Sequence, residues 1–197
     1  MNLTDIRRSL AYRIANPIVE ILGRSGITPN ALTFINLALS MVAAYVIATG
    51  HFVLGGVLVL VSGLFDLLDG ALARFTKQST KFGAVLDSTV DRISEAATLC
   101  GLLIWYAPQE EASLEIMLII VVLIGSFLIS YIRARAEGVG WQCQVGLFTR
   151  AERVIVLAIG LLINQILIAL CILAVFVVIT VIQRLVYVWK QGKVKGD

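Results

Sequence analysis

The sequence predicts an all-α integral membrane protein with six transmembrane helices and an N-terminal interfacial amphipathic helix. Three observations carry that expectation. Hydrophobic residues make up 59% of the 197-residue chain and charged residues only 15%, with a mean hydropathy of +0.93; a soluble domain carries far more charge. Uncharged runs approach or exceed the roughly 20 residues that a spanning helix needs. All 16 Lys and Arg fall in four groups of equal size, which an even number of spans gathers on one side, as the positive-inside rule demands.

Taken in order, residues 1–24 open with MNLTDIRRSLAYRI, which lacks the apolar core and small-residue site of a cleavable signal. Leu3, Ile6, Leu10 and Ile14 recur there at helical spacing, with Arg7, Arg8 and Arg13 between them. That pattern suits a helix on the cytoplasmic interface, or an ordinary lead-in helix facing water. Spans are expected at 29–49, 52–76, 82–107, 112–137, 149–163 and 166–189. Thr28 and Pro29 read as N-cap and first helical position of the first span. The last two divide an uncharged run from Val154 to Gln183. As one helix it would reach about 45 Å, too long for a hydrocarbon core of about 30 Å, and Asn164-Gln165 supplies a polar hairpin. Residues 190–197 form a basic tail, so 25–189 is the bundle and 1–197 a single domain. Both termini then face the cytoplasm of a multi-pass cell-membrane protein. Cys100, Cys143 and Cys171 have neither disulfide nor zinc spacing, and they read as apolar fillers; His51 is assigned no role.

The run FDLLDGALARFTKQSTKFGAVLDSTVDR, residues 65–92, sets four aspartates inside this apolar frame. Asp66 and Asp69 lie roughly 21 and 25 Å down the second span from its outer end; Asp91 and Asp87 lie about 22 and 28 Å down the third. Spacings of i,i+3 and i,i+4 put each pair on one helix face, so the four can converge in the cytoplasmic third of the bilayer. Four carboxylates in such a place need a cation among them. A hard divalent ion, Mg²⁺ or Mn²⁺, held by carboxylates together with substrate phosphates, meets that need. Salt bridges to Arg74, Lys77, Lys81 and Arg92 are the bland alternative. Gly70 and Gly83 let backbone or ligand approach closely, although small residues also serve helix packing. Arg74 offers a fork for phosphate, and Thr80 a hydroxyl for a base or sugar.

The spacing Asp66-x2-Asp69-Gly70-x2-Ala73-Arg74-x8-Gly83-x3-Asp87-x3-Asp91 resembles the signature of the CDP-alcohol phosphotransferase family at every fixed position. Six spans are also the family's organisation, so the resemblance covers nearly the whole chain. It implies displacement of CMP from a CDP-linked lipid by an acceptor alcohol, in a homodimer using Mg²⁺ or Mn²⁺, with no nucleic-acid partner. It further implies that Asp66, Asp69 and Asp87 hold metal, and that Asp91 is the general base and may touch metal too. Asn30, Thr33, Gly70, Arg74 and Thr80 would contact the CDP moiety, along with Asp66 and Asp69.

Ser130-Tyr131-Ile132-Arg133-Ala134-Arg135-Ala136-Glu137, Arg150-Ala151-Glu152-Arg153 and Val181-Ile182-Gln183-Arg184-Leu185 resemble the inositol-phosphate-using branch, with Arg133 where its familiar bacterial form has Lys. The resemblance implies that Arg133, Arg153 and Arg184 bind the acceptor's phosphate. Three arginines at one level also suit a doubly charged phosphate better than a neutral polyol, while membrane anchoring explains any one of them. The expected reaction moves the phosphatidyl group of CDP-diacylglycerol to myo-inositol 3-phosphate, releasing CMP. Glycerol 3-phosphate or another alcohol as acceptor, and CDP-archaeol as donor, stay open. Arg135 and Arg150 read as anchors or as partners of Glu137 and Glu152; Glu95 could tune Asp91 or pair with Arg92. A divalent-cation transporter is the alternative of another class, but Ser62, Ser40 and Tyr45 are too few to continue a polar path outward.

Overall fold

The computed structural model describes residues 28–76 and 80–195, without the side chains of Arg74, Val194 and Lys195. The expected interfacial helix at the N-terminus lies outside the described residues, as do Lys77 and the side chain of Arg74. Six helices make up the described chain: α1 Pro29–Ala48, α2 Phe52–Phe75, α3 Lys81–Tyr106, α4 Ser113–Gly138, α5 Arg150–Leu162 and α6 Ile166–Lys195. Four of them, α1, α2, α4 and α6, contain stretches long and apolar enough to cross a membrane. α3 is as long as α4, at 26 residues, but carries the charged Asp87, Asp91, Arg92 and Glu95. α5 has 13 residues, about 20 Å of helix. One boundary departs from expectation: the last helix runs on through Lys190 and Lys193 instead of ending at 189. No proline interrupts that segment, and Lys193 Nζ sits 4.0 Å from the Trp189 ring centroid one turn back.

Local chemistry explains where the helices begin and turn. Thr28 caps α1, its hydroxyl accepting from the Ala31 amide at 3.3 Å, with Pro29 in the first turn. Thr80 caps α3 by accepting from the Gly83 amide at 2.9 Å. The Thr149 amide donates to Glu152 Oε2 at 2.8 Å at the start of α5, half of a capping box. Between α5 and α6, Asn164 takes a left-handed conformation, φ 55°, which asparagine tolerates better than most residues.

Around the bundle the helices follow one another as α1, α3, α4, α6, α5, α2 and back to α1. All six send apolar side chains to a common core, among them Ile47, Val59, Leu102, Val122, Leu161 and Leu170. These lie late on α1, α3 and α5 and early on α2, α4 and α6, so the core fills the end of the ring away from the aspartates. Halfway along, Ser62 Oγ donates to Asn36 Oδ1 at 2.5 Å and lies 2.8 Å from Ser40 Oγ. The two serine hydroxyls weighed as part of a transport path thus satisfy one another where α1 meets α2. Close helix approach depends on missing side chains: a Cβ on Gly101 would stand 2.4 Å from the Ala44 carbonyl oxygen across the α1–α3 crossing. Gly101→Leu is therefore expected to lower stability by about 1–3 kcal/mol, read as a fall in thermal midpoint in detergent. An unchanged midpoint would mean that the crossing can open at little cost.

Candidate functional site

The end of the ring opposite the apolar core holds the acidic cluster. The last turns of α2 bring in Asp66 and Asp69, and the second turn of α3 brings in Asp87. One carboxylate oxygen from each of these three lies within 4.8 Å of the others. Asp69 is buried, and its Oδ2 stands 3.3 Å from Thr33 Oγ on α1, which also lies 3.1 Å from the Pro29 carbonyl. Asp87 Oδ1 is buried without a hydrogen-bond partner, an arrangement that costs free energy unless a further group binds there. Three converging carboxylates, one with an orphaned oxygen, form an all-oxygen donor set suited to Mg²⁺ or Mn²⁺.

Asp91, expected to join the metal ligands, lies outside this group of three. Its Oδ1 forms an ion pair with Arg150 Nη1 at 2.8 Å, and the same nitrogen reaches Asp66 Oδ2 at 2.6 Å. Arg92 Nη2 stands 3.5 Å from Asp91 Oδ2, while Arg92 Nη1 donates to Ser130 Oγ. Arg150 is thus bound to aspartates rather than to Glu152, because the first turn of α5 lies against α2. Two guanidiniums among four carboxylates leave the cluster short of positive charge, and a divalent ion supplies it.

Two cavities meet beside these acids. One of about 190 Å³ is lined by Asn30, Thr33, Asp69, Gly70, Thr80 and Asp87, among others. Among the residues expected to contact the CDP moiety whose side chains are described, it contains all but Asp66. Thr80 and Gly83 also have structural duties there, since the Thr80 hydroxyl caps α3 and would crowd any Cβ on Gly83 at 2.9 Å. The second cavity, about 1100 Å³, is bordered by Arg92, Arg133, Arg150, Arg153 and Arg184. Ala84 lines both.

The three arginines expected at the acceptor phosphate share this cavity with different commitments. Arg133 Nε donates to Glu137 Oε1 at 2.8 Å, and both remain exposed. Arg184 is buried and donates to the carbonyls of Val145, at 3.0 Å, and Ile129. Arg153 grips Glu95 bidentately, Nε to Oε1 at 2.6 Å and Nη2 to Oε2 at 2.9 Å. Glu95 therefore pairs with Arg153 of α5 and not with its neighbour Arg92, and Glu137 pairs with Arg133 rather than Arg135. Sequence reasoning reads Arg150 as an anchor or a partner of Glu152, and offers Glu95 only as a tuner of Asp91 or a partner of Arg92. Arg150 stands three residues before Arg153, one helical turn away on the same face, and that spacing was the available signal.

Comparison with known proteins agrees with this geometry. A family model described as CDP-alcohol phosphatidyltransferase matches residues 26–189. A phosphatidylinositol phosphate synthase from Mycobacteroides abscessus is 37% identical over 188 residues, covering 91% of this chain and 86% of that protein. An archaetidylinositol phosphate synthase from Pyrococcus horikoshii is 36% identical, covering 87% of this chain and 90% of that one. The crystal structure of Mycobacterium tuberculosis phosphatidylinositol phosphate synthase with CDP-DAG bound superposes with a TM-score of 0.81 at 38% identity, over 90% of this chain and 94% of that chain. The same enzyme in complex with manganese and citrate gives 0.82 at 38% identity, over 88% of each chain.

Proposed function

The chain belongs to the CDP-alcohol phosphatidyltransferase family, and on that premise we propose that it transfers the phosphatidyl group of CDP-diacylglycerol to myo-inositol 3-phosphate, giving phosphatidylinositol phosphate and CMP. The observation that carries the reading is the three-carboxylate group beside the junction of two cavities, one ringed by arginines. An acceptor hydroxyl oxygen forms a bond to the phosphorus bearing diacylglycerol, and the bond from that phosphorus to the bridging oxygen breaks, releasing CMP. Asp91 accepts the hydroxyl proton. Asp66, Asp69 and Asp87 hold a divalent ion, which when bound neutralises charge growing on the leaving phosphate. Asn30, Thr33, Gly70, Arg74 and Thr80 orient the nucleotide. Arg133, Arg153 and Arg184 hold the acceptor's phosphate, whose double charge matches their forks.

The placement in the membrane follows the same reading. Six spans, an N-terminal interfacial helix and both termini on the cytoplasmic side put the acids at the mouth where a soluble acceptor meets a lipid-borne donor. The protein works as a homodimer in the cell membrane. The test is purified protein with labelled CDP-diacylglycerol or CDP-archaeol and a panel of acceptors: inositol phosphate, inositol, glycerol phosphate and serine. CMP release should require Mg²⁺ or Mn²⁺, stop in chelator and favour inositol phosphate. Turnover that persists in chelator would overturn the metal role; preference for glycerol phosphate would overturn the acceptor.

A further inference from the structure

We propose that the groove between α6 and the segment 144–147 is a binding site for one anionic phospholipid of the cytoplasmic leaflet, apart from the donor and acceptor cavities. The proposal rests on the membrane placement above and not on the chemistry of the acidic cluster. The groove holds about 570 Å³. Its α6 wall is the stripe Gln183, Val186, Tyr187 and Lys190, which steps of three and four residues put on one helix face. Its other wall is the segment 144–147, tied to α6 by side chains of that helix. Gln183 Oε1 accepts from the Leu147 amide at 3.2 Å, and Arg184 Nε donates to the Val145 carbonyl at 3.0 Å. Just ahead of the segment, Gln191 Nε2 donates to the Gln142 carbonyl at 2.5 Å. Gln144 also borders the arginine-lined cavity, so the segment is the wall between the two spaces.

Depth and charge name the occupant. With Ile166 at the outer edge of the hydrocarbon, Gln183 lies about 26 Å and Lys190 about 36 Å along α6, against a core of about 30 Å. The groove thus runs from the end of the acyl region into the headgroup layer. Leu147 and Val186 offer exposed apolar surface there. Exposed Tyr187 and Trp189 stand where aromatic side chains gather at membrane surfaces. Lys190 is exposed and, among the described residues, is the one charged group lining the groove. A lipid phosphodiester would meet its ammonium, the Tyr187 hydroxyl and the Gln144 amide as donors. The amine of a zwitterionic headgroup would meet only like charge, because no described Asp or Glu lines the groove. Anchoring alone would make Lys190 interchangeable with any basic residue on that side of the membrane; a groove makes it specific.

Native mass spectrometry of detergent-purified protein, titrated with phosphatidylglycerol or with phosphatidylcholine of the same acyl chains, tests the site. Wild type should retain one phosphatidylglycerol more tightly than phosphatidylcholine. Lys190→Gln should weaken phosphatidylglycerol retention about fivefold, the worth of one lysine charge near a membrane surface, and leave phosphatidylcholine unchanged. Lys190→Arg should keep the wild-type value. Lys81→Gln, which removes an exposed lysine from the start of α3, is the control and should lose nothing. Equal retention by wild type and Lys190→Gln overturns the proposal, as does an equal loss in Lys81→Gln, which would mean unspecific surface attraction. Displacement of the lipid by inositol phosphate would also overturn it, by making the groove part of the acceptor's route. Retention is scored without turnover, so loss of the phosphotransfer reading would leave the site standing, and the reverse. Sidedness is read separately, by labelling Lys190→Cys with a membrane-impermeant maleimide in sealed vesicles. Labelling from the outer face alone would bring down the membrane placement and the leaflet assigned here with it.

Discussion

Replacing Asp91 by asparagine is expected to lower kcat for CMP release by about 10²–10⁴-fold, the usual contribution of a positioned general base. Asparagine has nearly the shape of aspartate and keeps an oxygen for Arg150, but its amide cannot take a proton at neutral pH. Because Asp91 lies outside the group formed by Asp66, Asp69 and Asp87, binding of Mn²⁺ and of the CDP-lipid should survive the change. Asp69→Asn is the contrasting variant, since it removes a buried ligand and should weaken Mn²⁺ binding and turnover together. The measurements are single-turnover CMP release and Mn²⁺ titration on the same preparations. An Asp91→Asn protein with near-wild-type turnover would remove this residue from proton transfer.

The second large effect concerns stability. Glu95→Ala should destabilise the fold by about 3–5 kcal/mol, because removing one partner of a buried pair strands the other charge. Arg153 is 3% exposed, its Nε and Nη2 both bond Glu95 and its Nη1 reaches the Phe148 carbonyl ahead of α5, so nothing else on α3 replaces the lost carboxylate. Thermal unfolding in detergent reads the loss. The same variant should raise KM for inositol phosphate, since Arg153 borders the acceptor cavity and would no longer be held in place. Glu95→Met/Arg153→Met is the control: a paired apolar replacement should regain most of the stability while acceptor affinity stays poor. If Glu95→Ala unfolds at the wild-type midpoint, the pair contributes nothing to holding α3 against α5.

Sequence reasoning reached the features that depend on one helix at a time. Apolar runs marked α1, α2, α4 and α6, and the i,i+3 and i,i+4 spacings gave each aspartate pair a common face. The Asn164-Gln165 hairpin followed from the length of the run that it interrupts. What escaped depends on the order of helices around the ring and on the rotation of each about its axis. Whether Arg150 meets Glu152 beside it or Asp66 on another helix turns on α5 packing against α2, and hydropathy does not encode that neighbour. Glu95 likewise had Arg92 within its own helix as a local partner, yet the tertiary fold brings it Nε and Nη2 of a buried fork from Arg153. The last helix outran its expected end because basic residues mark a membrane surface without stopping a helix.

The apolar plug formed by Ile47, Leu102, Leu161 and Leu170 has a kinetic corollary for the proposed reaction. With that end filled, the small cavity beside Asp69 and Asp87 is the place that spent nucleotide must vacate before the next donor headgroup enters. CMP is therefore expected to compete with the donor, and the pace of successive cycles to follow how quickly that space clears.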